Sequence, residues 1–141
     1  SSYGANFVKT MLRLGAERES LSVVNDQIGS PTYAGDLAEA IITITREIID
    51  SRWGGRGLQG IYHYSDEGIC TWFDFAKAII ELNNMDVKVL AVSTADYPTK
   101  AIRPAYSVLD KSKIKATFGL VIPHWKDSLR LCLKKIKNSE I

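Results

Sequence analysis

Apolar residues recur along this chain in two rhythms, at helical spacing in some segments and at every second position in others, and the alternation of the two predicts an α/β fold. Asn6 stands where it can cap a helix in which Phe7, Val8, Met11 and Leu12 share one side up to Gly15. Leu21-Ser22-Val23-Val24 then reads as a short strand, and Asn25 to Thr32, rich in turn formers, as a loop. The clearest stripe is Leu37, Ala40, Ile41, Ile44 and Ile48, which predicts a helix buried along that line, with Asp36, Glu39, Arg46 and Glu47 on its wet side. It should stop before the glycines at 54, 55, 57 and 60. Ile61-Tyr62-His63-Tyr64 reads as a strand.

Thr71 followed by Asp74 is a capping-box start for a third helix, whose buried side is Phe75, Ala76, Ile79 and Ile80 and whose end is Asn83-Asn84. Val87 to Val92 alternates as a strand does, and Ser93 to Ala105, with Pro98 and Pro104, is expected to be irregular surface chain. Two more helices follow, one over Lys111 to Phe118 stopped by Gly119, the other carrying Trp125, Leu129, Cys132, Leu133 and Ile136. No repeat, low-complexity tract or interdomain linker interrupts residues 1–141, which read as a single domain.

Composition narrows the classes. At 141 residues, 45% hydrophobic and 24% charged, the chain is ordinary for a globular domain and long enough for a sizeable core without disulfide or metal staples. Its formal charge of +2 comes mainly from lysines and arginines near the C-terminus, without the dense basic face and interleaved aromatics of a nucleic-acid binder. Those cations read as a solvated helix face. Cys70 and Cys132 lie in apolar segments and read as small buried hydrophobes in a reducing compartment, most simply the cytoplasm. No run approaches the roughly 18 apolar residues of a membrane span. The opening Ser1-Ser2-Tyr3-Gly4 has no initiator Met and no basic or apolar leader, and reads as a chain entered midway.

Two motifs tempt and fail. Gly55-Arg56-Gly57-Leu58-Gln59-Gly60 fits G-x-G-x-x-G, and Glu81 lies near where an acid would meet a ribose. A phosphate loop must leave a strand and open a helix, because the helix N-terminus supplies the amides and the dipole. Here a helix comes before the glycines and the expected strand after them. Tyr97 and Lys100 suggest the proton-donating pair of short-chain dehydrogenases, but they stand three apart rather than four, with Pro98 between them. His63 and His124 have no Ser, Cys or carboxylate arrangement that would activate them and read as half-buried packing residues. Catalytic residues, a cofactor site and a metal site are not legible in this chain.

A resemblance supplies more. Asn6-Phe7-Val8-Lys9-Thr10-Met11, Asn25-Asp26-Gln27-Ile28-Gly29-Ser30-Pro31-Thr32-Tyr33, Asp36-Leu37-Ala38 and Arg103-Pro104-Ala105-Tyr106-Ser107-Val108-Leu109-Asp110, in that order, resemble the C-terminal half of the dTDP-4-dehydrorhamnose reductase family. The resemblance implies an α/β fold that is the C-terminal substrate-binding part of an extended Rossmann-type short-chain dehydrogenase, lacking most of the dinucleotide-binding sheet. It implies an NADPH-dependent reduction that forms dTDP-L-rhamnose from dTDP-4-dehydro-6-deoxy-L-mannose. NADPH and the catalytic Thr, Tyr and Lys would belong to a missing N-terminal Rossmann half, leaving this chain inactive alone, with a dTDP-sugar as its ligand. It also admits a magnesium ion and a homodimer.

By the same resemblance, Asp26, Gln27, Gly29, Ser30, Pro31 and Thr32 lie near the sugar-nucleotide cleft, although as a loop they serve equally as a structural turn. Arg103 matches phosphate oxygens bidentately, with a surface ion pair as its other reading. Asn6, Phe7 and Met11 would face the cleft from a helix start, and helical spacing also suits Phe7 and Met11 to a core. Tyr106 stands where the family pattern has Asn. Two other readings share the fold: a non-catalytic regulatory protein, like the regulatory subunit of methionine adenosyltransferase, and a different nucleotide-sugar epimerase or dehydratase.

Overall fold

The computed structural model describes residues 4–50, 57–97 and 101–139. Its elements run α1 (Phe7–Glu17), β1 (Ser20–Val24), β2 (Ile28–Gly29), α2 (Ala34–Asp50), β3 (Cys70–Thr71), α3 (Trp72–Leu82), β4 (Lys88–Val92), α4 (Ser112–Phe118) and α5 (Trp125–Ser139). β1 and β4 pair in parallel with Ser22 opposite Leu90, and β2 and β3 form a two-residue antiparallel ladder with Ile28 opposite Thr71.

Local chemistry starts the helices where expected. The Asn6 side chain accepts from Lys9 N–H at 3.1 Å and opens α1. At α3 the Thr71 hydroxyl accepts from Asp74 N–H while the Asp74 carboxylate accepts from Thr71 N–H, a complete capping box. α1 runs through Gly15 to Glu17. A Cβ on Gly15 would sit 2.9 Å from Ile80 Cδ1 and from Met85 Cε, so a larger residue would require those side-chain ends to move. Gly119 closes α4 in the left-handed conformation.

The main core joins α1, α3, α5 and the β1–β4 pair: Met11, Leu21, Ala76, Ile79, Trp125 and Leu133 are among its buried members. A smaller cluster gathers Ile114, Phe118 and Ile122 with partly buried Ile44, Leu58 and Tyr62. Both cysteines are buried and outside any disulfide, packed as small hydrophobes.

Four expectations need correction. On α2 only Ala40 is buried; Leu37, Ile41 and Ile48 are 39%, 55% and 39% exposed, because among the described elements the helix packs mainly on short α4. Residues 61–64 form no strand. Their backbone is met by a side chain instead, Lys113 Nζ donating to Ile61 O at 2.9 Å, and Tyr62 turns its ring onto Phe118 while its hydroxyl donates to Leu58 O. Lys111 is no solvated cation: it is buried, donating to Asp66 O at 3.1 Å and pairing with Glu67 at 3.1 Å. His63 and His124 are exposed rather than half-buried, His124 lying over the Trp125 ring.

Candidate functional site

The chain leaves β1 at its C-terminal end and enters the turn-rich loop, where two sets of contacts fix its course. The Asp26 carboxylate accepts from Thr94 N–H at 2.8 Å and from the Thr94 hydroxyl at 2.5 Å, which holds it ionised below the usual carboxylate range. Gln27, buried, donates to the same hydroxyl at 3.0 Å. The start of the loop is thereby tied to the residues just past β4. Further on, Ile28 N–H donates to Ala105 O at 2.8 Å and Ser107 N–H to Ile28 O at 2.9 Å, a parallel bridge that draws the 103–107 segment alongside. Ser30 Oγ donates to Gly68 O at 2.8 Å. β3 closes the other flank.

Between these segments lies a cavity of about 340 Å³. Gln27, Gly29, Ser30, Pro31 and Arg103 line it together, five of the eight residues singled out as substrate-binding. The other three stand apart from it: Asn6 caps α1, Asp26 is engaged by Thr94, and Thr32 borders a smaller cavity behind the wall. Thr71, Trp72, Phe75 and Ser107, which the sequence did not mark as ligand-binding, also line the cleft. Trp72, 36% exposed at the first position of α3, could have drawn notice as a large aromatic beside a helix cap.

A second cavity of about 230 Å³, mostly apolar, adjoins the first and shares Gln27, Trp72 and Arg103 with it. Phe7 and Met11 line it, and the Phe7 ring packs on Trp72 and Phe75 with centroids at 4.8 and 5.6 Å. Both Phe7 and Met11 also pack with the main core.

Arg103 is exposed at the seam of the two cavities, and no described carboxylate pairs with it. Pro104 after it disfavours helical backbone at Arg103. A permanently charged, forked donor above a largely apolar trough suits a ligand with a flat or apolar body and an anionic group.

The Gly-rich stretch is no phosphate cradle. Gly55 and Arg56 lie outside the described residues; Gly57 to Gly60 lead into chain without a helix until Trp72, so no helix N-terminus faces a pyrophosphate there. The described part of this stretch thus carries no dinucleotide fingerprint. Among the described residues, no three His, Cys, Asp or Glu side chains gather as metal ligands, and no helix is long and apolar enough to cross a membrane.

The comparisons agree with this geometry. Residues 1–138 match the RmlD substrate binding domain. The chain belongs to that family. A dTDP-4-dehydrorhamnose reductase of Aggregatibacter actinomycetemcomitans is 47% identical over 135 residues, 91% of this chain and 45% of that protein. The spore coat polysaccharide biosynthesis protein SpsK of Bacillus subtilis is 44% identical over 132 residues, 94% of this chain and 43% of its own length. The crystal structure of the Bacillus anthracis dTDP-4-dehydrorhamnose reductase, in complex with NADP, superposes with a TM-score of 0.81 at 45% identity, covering 94% of this chain and 44% of that one. The chain spans a little under half the length of the relatives it matches. An α/β fold corresponding to the C-terminal part of these reductases is therefore what the sequence resemblance required.

Proposed function

We propose that residues 1–141 are the nucleotide-sugar-binding portion of an NADPH-dependent dTDP-4-dehydrorhamnose reductase, the enzyme that reduces the C4 ketone of dTDP-4-dehydro-6-deoxy-L-mannose to give dTDP-L-rhamnose. The observation that carries this reading is the cleft in which Arg103, without a described carboxylate partner, stands over Gln27, Pro31 and Trp72. Arg103 meets the diphosphate, and the aromatic and proline walls take the flat and apolar parts of the ligand. Gln27 is held by Thr94 with its amide beside both cavities. Ser30 and Gly29 bring backbone close to the ligand, where a Cβ on Gly29 would crowd Ser107 Oγ at 3.0 Å.

The reduced nicotinamide and the proton donor to the new hydroxyl are assigned to the other half of the enzyme. This chain binds and orients the sugar nucleotide, and two cysteines outside any disulfide suit a cytoplasmic reaction. Calorimetric titration of the complete reductase with dTDP, together with NADPH oxidation on adding the ketosugar nucleotide, tests the reading. Saturable dTDP binding and ketosugar-dependent oxidation are expected. Binding without turnover would favour the non-catalytic regulator, and failure to bind dTDP would overturn the proposal.

A further inference from the structure

Three side chains border both cavities where they meet: a cation in Arg103, an aromatic ring in Trp72 and an amide in Gln27. The amide is the ambiguous member of the set, since turning it over exchanges a donor for an acceptor at nearly the same positions. Gln27 is buried at 7% exposure, three residues past β1, and it is tied to Thr94, two residues past β4. The seam is thus built on the C-terminal ends of the paired strands. Backbone bonds hold the two ends together, with Asn25 N–H donating to Val92 O at 3.0 Å and Tyr97 N–H to Thr94 O at 3.3 Å.

The side-chain bonds here run in one direction only. Asp26 is held ionised below the usual carboxylate range, so its oxygens can only accept, Oδ2 from Thr94 N–H at 2.8 Å and Oδ1 from the Thr94 hydroxyl at 2.5 Å. Thr94 has a single hydroxyl proton and gives it to Asp26. Its oxygen must therefore accept from Gln27, and it does so from Nε2 at 3.0 Å. The amide nitrogen is committed to Thr94, and the amide oxygen is turned away from it. Asp26 itself lines neither cavity.

We propose that Asp26 and Thr94 are positioning residues that lock the Gln27 amide with Oε1 toward the cleft, where it accepts a hydrogen bond from an N–H or O–H donor of the sugar nucleotide. That ligand contact rests on reading the cleft as the dTDP-sugar site, whereas the lock does not. An amide already oriented by its supporting residues need not turn on binding. It also leaves its oxygen unpaired against a ligand that lacks the donor, which is how one buried polar group discriminates between ligands.

The test measures binding and turnover of the complete reductase with two ligands, dTDP and the ketosugar nucleotide. Thr94→Val, which keeps the shape and removes the hydroxyl, should weaken binding about three- to tenfold, the worth of one neutral hydrogen bond, with kcat within about twofold. A loss already present with dTDP places the donor on the nucleoside, and a loss confined to the ketosugar nucleotide places it on the sugar. Thr94→Ser, which restores the hydroxyl, should recover most of the affinity. Asp26→Asn introduces a donor where only an acceptor stood and so permits the reversed relay; it should weaken binding about two- to fivefold. Combined with Thr94→Val it should add nothing, because both act through one amide. If Thr94→Val does not fold, Asp26→Asn decides. Unchanged binding of both ligands in the variants, no recovery in Thr94→Ser, kcat falling as steeply as KM rises, or additive losses in the double variant would overturn the proposal. A wild-type enzyme that binds neither ligand would overturn the dTDP-sugar reading and with it the ligand contact. The lock is judged separately by hydrogen exchange at the Gln27 side-chain amide, which Thr94→Val should speed about tenfold, and equal exchange rates would overturn it.

Discussion

Truncating Arg103 removes the one formal positive charge that both cavities share. A hydrogen bond to a charged group is worth about 1.5 to 3 kcal/mol. Arg103 is exposed at the seam, so water screens it and the lower half of that range applies. At about 1.4 kcal/mol per decade, Arg103→Ala in the complete reductase should raise KM for the ketosugar nucleotide between ten- and a hundredfold, nearer ten. The diphosphate lies away from the reacting C4, so ground state and transition state lose the contact alike and kcat should change little.

Arg103→Lys should recover part of the loss, because an ammonium restores charge but not the fork. Rising salt should weaken wild type and the Lys variant and affect the Ala variant less. Steady-state kinetics on the three proteins at two ionic strengths would settle it. An unchanged KM in Arg103→Ala would show that Arg103 does not meet the ligand, and a fall confined to kcat would place its effect on the chemistry rather than on binding.

Burial pushes the Asp66 carboxyl up to about 6, with the Asp36 and Tyr33 sides opposing one another: Tyr33 N–H, the nearby Ser128 hydroxyl and Lys111 favour the ionised form, and the Asp36 carboxylate disfavours it. Its contribution to stability is therefore full below pH 4, declines as pH rises toward 6 and is lost above, by roughly 3 kcal/mol at most, and denaturant melts of Asp66→Asn should lack that fall. Thr71→Ala removes a cap whose hydroxyl also donates to Asn25 Oδ1 at 2.8 Å; it should lower stability by about 1 kcal/mol, read as a lower thermal midpoint, and a neutral change would discount the cap. This chain alone should show no saturable NADPH fluorescence, since its glycine stretch opens no helix, and micromolar binding would contradict that. It should also self-associate through the exposed Leu37, Ile41 and Ile42 of α2, with Ile41→Lys shifting sedimentation toward monomer; a wild-type chain that stays monomeric when concentrated would refute this.

Elements set by neighbours in sequence were legible before the fold was known. The Asn6 and Thr71 caps, the Asn83-Asn84 stop and the buried side of α3 depend on contacts three or four residues apart, and a sequence displays those directly. The errors share one cause. The α2 stripe announces an apolar face in want of a partner, but periodicity cannot say whether that partner belongs to the same stretch of chain. Residues 61–64 have the composition of a strand, yet a strand exists only if another pairs with it. Lys113, 52 residues away, satisfies Ile61 O instead.

The cleft divides along the same line. Pro31 and Arg103 were legible as residue types, a rigid turn and a forked cation, but 72 positions separate them in sequence, and the Ile28 bridge to Ala105 and Ser107 brings their segments together. Trp72 enters because β3 pairs Thr71 with Ile28, fixing the next residue at the cavity edge. Asp26 shows the converse: an acid in a suggestive loop whose oxygens are already engaged by a residue 68 positions away. Ile28 is thus the junction of the site. Its N–H and C=O hold the 103–107 segment on one side while its strand pairs with Thr71 and holds α3 on the other, so a proline there would delete the bond to Ala105 O and loosen the 103–107 wall.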